Sequence, residues 1–272
     1  MLHAHVLGPL TLCAPKGERL LSSNKQKQLI SLLLFNLPHP TSTAMIIDEL
    51  WTDGPPKSAT GTLQTYVCHL RNFLADLIGV PSSVIAAEFL VHRPPGYFLE
   101  PSWIDLDVQH LREVERRAYA GVDAQDFGAV VRHCESALSL WRGQTLMNVE
   151  AGQHVQAEID GLERARMSLV EVKIEAEISL GRNQKVLGEL SKLTSQFPLH
   201  EGVHYNYMRA LSNSGYRTRS LEIFQTMRTA LVEQLGIEPS LKLQNLHQSI
   251  LNGRPADFPS ELMATGMLRK SA

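Results

Sequence analysis

Apolar residues in the first part of the chain fall into short blocks, and beyond residue 105 they settle into helical periods. His5–Leu7 and Leu10–Cys13 flank Gly8-Pro9, and Arg19–Leu21 follows Lys16-Gly17; these predict short strands of a small antiparallel sheet. Lys25 to Leu37 predicts a helix with Leu29, Ile30, Leu33, Leu34 and Leu37 buried, stopped by Pro38 and Pro40. A second short helix covers Thr43 to Trp51, with Ile46, Ile47, Leu50 and Trp51 inward, and Asp53-Gly54-Pro55-Pro56 breaks it. A third runs from Ser58 to Leu77, where Ala59, Leu63, Tyr66, Leu70, Phe73 and Leu77 recur at steps of four and three. Ser58 is its expected N-cap. Glu88–His92 and Tyr97–Leu99, joined by Arg93-Pro94-Pro95-Gly96, predict a hairpin. Strands, three helices and a hairpin are the element order of a winged helix-turn-helix.

After Asp105 the pattern predicts helices only: Asp107–Gly121, Asp126–Trp141, Val155–Leu180 with Gly161 as its weak point, Gln184–Phe197, Glu201–Ser214, Thr218–Leu235 and Leu241–Leu251. Gln144–Gln153 is irregular. Two helix pairs correspond at a spacing of 34 residues: Gly181 with Gly215, Leu187 with Leu221, Leu190 with Phe224, Phe197 with Leu231, and Ala176 with Ala210. That is the tetratricopeptide period, although a plain helical bundle with coincident glycines has the same elements. The fold class expected is therefore mainly α with a small β part. Residues 1–104 form the winged helix, 105–252 an all-α tetratricopeptide-like domain, and 253–272 a disordered tail.

Charge changes this picture little. The net charge is −2, and Met1–Ile104 holds seven Lys/Arg against seven Asp/Glu, so any nucleic-acid binding must use a local positive surface. Cys13, Cys68 and Cys134 include no Cys-x-x-Cys pair, and the eleven histidines lack ligand spacing; neither a disulfide framework nor a metal site is expected. No stretch approaches about 18 apolar residues, so a cytoplasmic protein without membrane contact is expected. No Gly-x-Ser-x-Gly elbow, P-loop, His-Glu-x-x-His or Gly-x-Gly-x-x-Gly is present, and neither enzyme activity nor a cofactor is expected. The acidic residues between Glu158 and Glu177 alternate with Arg164, Arg166 and Lys173, the pattern of a solvated helix face.

The candidate chemistry lies on the third helix. Opposite its apolar stripe stand Gly61, Thr65, Cys68 and Asn72, with Gln64 and His69 beside them, Thr62 near the start and Arg71 on the flank. No Asp or Glu occurs between Gly54 and Ala75. A small, polar, acid-free face suits the floor of a DNA major groove, although an ordinary surface helix can look the same. Gln64 and Thr65 are placed to reach base edges, since Gln can pair with adenine and a Thr methyl can pack on thymine. His69 and Arg71, further along, are placed for phosphates, and Arg93 at the hairpin tip for the minor groove. An adaptor whose winged helix binds protein rather than DNA is the alternative; it has no need to keep helix and wing free of carboxylates.

Several short stretches, in order, resemble one family: Leu7-Gly8-Pro9-Leu10, Glu49-Leu50-Trp51 with Pro55-Pro56, Leu63-Gln64-Thr65-Tyr66-Val67 with Leu70-Arg71, Gly96-Tyr97, Leu140-Trp141-Arg142-Gly143, Pro198-Leu199-His200-Glu201, Met208-Arg209-Ala210-Leu211 and Leu235-Gly236-Ile237-Glu238-Pro239-Ser240. Over His3–Leu251 the chain resembles the Streptomyces antibiotic regulatory proteins, which join an OmpR-type winged helix to a bacterial transcriptional activator domain. The resemblance implies a nucleoid-associated activator that binds direct repeats at promoters of an antibiotic or other secondary-metabolite cluster, as a homodimer on DNA, and recruits RNA polymerase holoenzyme. It further implies DNA contacts from Lys25 and Lys27, and a polymerase contact from Asp53 and Lys57 in the turn before the third helix. Where relatives often carry arginine on that helix, this chain has Cys68, His69 and Asn72.

Overall fold

The computed structural model describes residues 1–253, so the expectation for the last 19 residues lies outside the described residues. Two compact units emerge, and they interleave along the chain: Met1–Glu113 joins Ser139–Arg166, while Val114–Leu138 joins the residues from Met167 onward.

The first unit opens with β1 (Leu2–His5), β2 (Thr11–Ala14) and β3 (Gly17–Arg19). Helices α1 (Asn24–Phe35), α2 (Thr43–Leu50) and α3 (Ala59–Ile78) follow, with β4 (Thr41–Ser42) between the first two. A short helix α4 (Ser82–Val84) and a π-turn (Ile85–Phe89) lead into β5 (Leu90–Arg93) and β6 (Gly96–Leu99). A further strand, β7 (Ile104–Leu106), had no sequence signal; it pairs parallel to β1, giving a sheet of order β3-β2-β1-β7. The wing is a separate sheet of order β4-β6-β5. Gly96 makes it possible, because a Cβ there would lie 2.0 Å from the Thr41 carbonyl oxygen.

The buried stripe of α3 is Ala59, Leu63, Val67, Leu70, Leu74 and Leu77. Tyr66 and Phe73, expected inside, are only half-buried, and the Tyr66 ring stacks on Trp51 instead. Both sets advance by steps of three and four, so the helix is rotated slightly from the expected orientation. Nor does the Ser58 side chain cap α3; its carbonyl accepts from Thr62 N.

The segment after Leu140, irregular as expected, is stitched onto the winged helix. Arg142 N donates to Leu7 O at 2.7 Å and Leu146 N to Val6 O at 3.1 Å. The Asn148 side chain accepts from Leu10 N and donates to Leu10 O, at 2.7 and 3.3 Å, as a neighbouring strand would. Glu150 O accepts from Gln28 Nε2 at 2.7 Å, and Glu150 N donates to Asn24 Oδ1 at 2.9 Å. The strap ends at the start of α7 (Gln153–Ser179), which runs unbroken through Gly161. There Glu49, fully buried on α2, accepts from Gly152 N, His154 N and Val155 N at 2.7, 2.9 and 3.1 Å. A carboxylate on the free amides of a helix N-terminus is favourable in charge as well as in bonding. Gly152 is required here, since a Cβ would come within 2.3 Å of Glu49 O. The Leu7-Gly8-Pro9-Leu10 and Leu140-Trp141-Arg142-Gly143 motifs are thus two halves of one clasp. Asp107, at the start of α5 (Asp107–Asp123), tightens it by accepting from Val6 N and Leu7 N at 2.9 and 3.0 Å. Burial raises the Asp107 carboxyl above its ordinary range, against the pull of those amides, His5 and Arg142.

The second unit contains α6 (Phe127–Leu138), α8 (Asn183–Gln196), α9 (Glu201–Asn213), α10 (Arg217–Leu235) and α11 (Leu241–Leu251), with the later parts of α5 and α7. The 34-residue correspondence appears in space: Gly181 and Gly215 both have positive φ, +73° and +85°, where one helix turns into the next. Ala176, Ala210, Leu190 and Phe224 are all core residues. It stops at Phe197, 40% exposed where Leu231 is 2% exposed. The acidic face expected between Glu158 and Glu177 is not all solvated. Glu177 is 1% exposed and paired with Arg182 and Lys185, which together hold its carboxyl below the usual range against the opposing effect of burial. Glu175 is also buried, 3.6 Å from Arg209.

Candidate DNA interface

Helix α3 projects Thr60, Gly61, Gln64, Thr65, Cys68, His69 and Asn72 to solvent. Thr62, half-buried, returns its hydroxyl to Ser58 O at 3.1 Å, and Thr65 returns its own to Gly61 O at 3.2 Å. The γ-methyl of Thr65 therefore remains for outward contact. Asn72 Oδ1 accepts from Ser82 Oγ at 2.8 Å, which orients the amide and leaves its NH₂ to donate.

The first carboxylate beyond this face, Asp76, is met by two cations from the β2–β3 hairpin. Lys16 approaches it at 3.3 Å and Arg19 bonds its other oxygen. The hydrogen bond from Lys16, then that from Arg19, lowers the Asp76 carboxyl below its ordinary range. Lys16 and Arg19 thereby offset the negative charge of Asp76 at this end of α3. No helical or strand period links Lys16 and Arg19 to α3, so sequence reasoning did not group them with the site.

Three residues expected to contact DNA have partners within the fold. Lys25 Nζ donates to Leu50 O, which ties α1 to the end of α2. Lys27 Nζ donates to Asn148 O at 2.8 Å, on the strap. Arg71 directs Nε and Nη2 at Leu90 O, at 3.0 and 2.8 Å, where β5 begins. Each is a cation committed to a main-chain carbonyl, and moving it to a phosphate would leave that carbonyl unpaired. Arg71 thus fastens the wing to α3. Arg71→Ala is expected to lower stability by about 1.5–3 kcal/mol, as for a hydrogen bond to a charged group. Urea unfolding measures this; a loss of a few tenths would mean that the wing is held without it.

Arg93, expected at the hairpin tip, is the last residue of β5 and pairs with Gly96 across Pro94-Pro95. Its guanidinium lies 4.4 Å from the centroid of the Phe98 ring, exposed on its other side. His92 beside it is also exposed and sits edge-on to Tyr97. Asp53 and Lys57 lie exposed in the turn between α2 and α3. Among the described residues no cluster of three or more His, Cys, Asp or Glu could hold a metal ion, and no single helix is long and apolar enough to cross a membrane.

An α-helical pair, a longer third helix with a polar outer face and a three-stranded wing define a winged helix-turn-helix domain. The comparisons narrow that class. The model of the bacterial transcriptional activator domain matches residues 106–251. Regulatory protein DnrI of Streptomyces peucetius is 32% identical over 254 residues, 93% of either chain. Transcriptional regulatory protein MoaR1 of Mycobacterium tuberculosis is 29% identical over 257 residues, 93% of this chain and 80% of that one. A solved structure of Mycobacterium tuberculosis EmbR in complex with a low-affinity phosphopeptide superposes with a TM-score of 0.86 at 27% identity, covering 98% of this chain and 69% of that one. The chain belongs to the bacterial transcriptional activator domain family, and within it to the Streptomyces antibiotic regulatory proteins.

Proposed function

We propose that this chain is a sequence-specific transcriptional activator that docks α3 in the major groove of promoter DNA and lays the wing along the neighbouring minor groove. The observation that carries this reading is the outward face of α3, free of carboxylates, with Asp76 at its edge already matched by Lys16 and Arg19. Gln64 and Thr65 read bases; His69 and Asn72 meet the phosphate backbone; Arg93 enters the minor groove. Few cations are free to displace counterions, so one winged helix binds weakly. Two copies on adjacent direct repeats, as a homodimer on DNA, add affinity through effective concentration. Asp53 and Lys57, in the exposed turn before α3, face RNA polymerase holoenzyme in this arrangement. The family supports a promoter in an antibiotic or other secondary-metabolite cluster, and a site of action on the nucleoid in the bacterial cytoplasm.

The test is a binding titration over a salt series, on DNA from upstream of neighbouring genes and on a scrambled duplex. Gln64→Ala is expected to cost about 1–3 kcal/mol on the cognate repeat and little on the scrambled one. Equal losses on both sequences would remove Gln64 from base reading. No sequence preference in the intact protein would remove the reading altogether.

A further inference from the structure

A tight reversal of the chain brings Ser82 back beside Asn72. Gly79 ends α3 in the left-handed region, φ +87°, and Gly79 N and Val80 N both donate to Ala75 O, at 2.9 and 3.1 Å. The chain bends by 119° between α3 and the segment Ser82–Phe89. Ile85 and Phe89, both fully buried, anchor that segment, and the Phe89 ring stacks on Trp103 with 5.5 Å between centroids. The place of Ser82 is thus set by core packing.

Its hydroxyl does not serve its own helix. Pro81 is the N-cap of α4, and Ser82 Oγ donates instead to Asn72 Oδ1 at 2.8 Å. The hydroxyls of Thr62 and Thr65, by contrast, return to carbonyls of α3. Asn72 is therefore oriented by another element, as those threonines are not. A side-chain amide has one accepting end and one donating end. With Ser82 on the oxygen, the NH₂ is the end left for a partner.

Position along α3 says what that partner is. Asn72 stands eight residues after Gln64. At 1.5 Å per residue that is about 12 Å along the axis, close to the width of the major groove. With Gln64 over the base edges, Asn72 arrives at the backbone that bounds the groove. A phosphate offers acceptors only, so an NH₂ fixed in advance meets it with no rotamer left to freeze. An untethered amide would also populate the reverse orientation, with its oxygen towards the phosphate.

We propose that Ser82 is a positioning residue for DNA binding, which fixes the Asn72 amide as a donor to a backbone phosphate. This rests on the docking of α3 proposed above. Neither side chain carries a charge, so the contact displaces no counterion and contributes equally at every salt concentration.

The test is a double-mutant cycle in the full chain, read as Kd over a salt series. The probes are a duplex from upstream of the neighbouring genes and its scrambled counterpart. Ser82→Ala is expected to weaken binding about three- to tenfold on both, with the salt slope unchanged. Asn72→Ala should cost at least as much, and adding Ser82→Ala to it should cost nothing further. Ser82→Thr, which keeps the hydroxyl, should bind nearly as the unaltered chain does. A general disturbance of the fold would instead add to the loss from Asn72→Ala, and that result overturns the proposal. So does Ser82→Ala binding like the unaltered chain, or losing affinity on the upstream duplex alone. If the unaltered chain binds neither duplex, or if Asn72→Ala and Ser82→Ala both leave binding intact, the docking of α3 falls as well.

Discussion

Glu49→Ala is expected to lower stability by about 3–5 kcal/mol, more than any change on the outward face of α3. The carboxylate is fully buried and is the acceptor for Gly152 N, His154 N and Val155 N. Removing it leaves three donors without partners, each costing about 1–3 kcal/mol if water cannot reach it. It also strips a negative charge from the positive end of α7. Glu49→Gln should lose less, because one carbonyl oxygen still accepts. Gly152→Ala should resemble Glu49→Ala although it removes no polar group, since its Cβ would strike Glu49 O and force the strap away. Urea denaturation of the three variants measures the order. A loss below about 1 kcal/mol for Glu49→Ala would mean that solvent replaces the carboxylate at the helix end.

A fragment ending at Ile104 is expected not to fold cooperatively, whereas one ending at Arg166 keeps the complete first unit. The shorter fragment cuts β7 after its first residue and removes the Asp107 carboxylate from Val6 N and Leu7 N. It also removes the partners of Leu10, Asn24, Lys27, Gln28 and Glu49. These are mostly bonds to part-buried or buried groups, and their summed loss reaches the whole stability of an ordinary domain, about 5–15 kcal/mol. Thermal unfolding followed by circular dichroism distinguishes the two fragments. A sharp transition in the shorter one, near that of the longer, would show that the strap is dispensable.

These expectations differ from a boundary at residue 104 because helical and strand periods reveal only elements whose side chains alternate. The stripe on α3 is such a signal, and it located the outward face carrying Gln64, Thr65, His69 and Asn72. It did not settle which of Tyr66 and Val67 turns inward, since either lies a step of three or four from both Leu63 and Leu70. The strap has no period at all: it is held by individual side chains bonding to main chain, as Asn148 does to Leu10 and Gln28 to Glu150. Strand β7, three residues long, is too short to show alternation against its surroundings. Lysine and arginine carry the same charge whether they meet a phosphate or a carbonyl. Only folding brings Leu90 O to Arg71 or Asn148 O to Lys27, so their sequence context pointed to DNA. Glu49 in Glu49-Leu50-Trp51 belonged to a recognisable motif, yet nothing near it in sequence marks the helix that it caps, a hundred residues away.

The strap grips α1, α2 and the first strands, but makes no hydrogen bond to the outward residues of α3. On the proposed function, the DNA-facing surface is separable from the scaffold: Cys68 and His69 can change without disturbing a buried bond, whereas Glu49 and Gly152 cannot. A lineage can retarget such a regulator by changing a handful of solvent-facing positions on one helix. Among the short motifs that reveal kinship, those of the clasp and the cap are silent about which promoter is read.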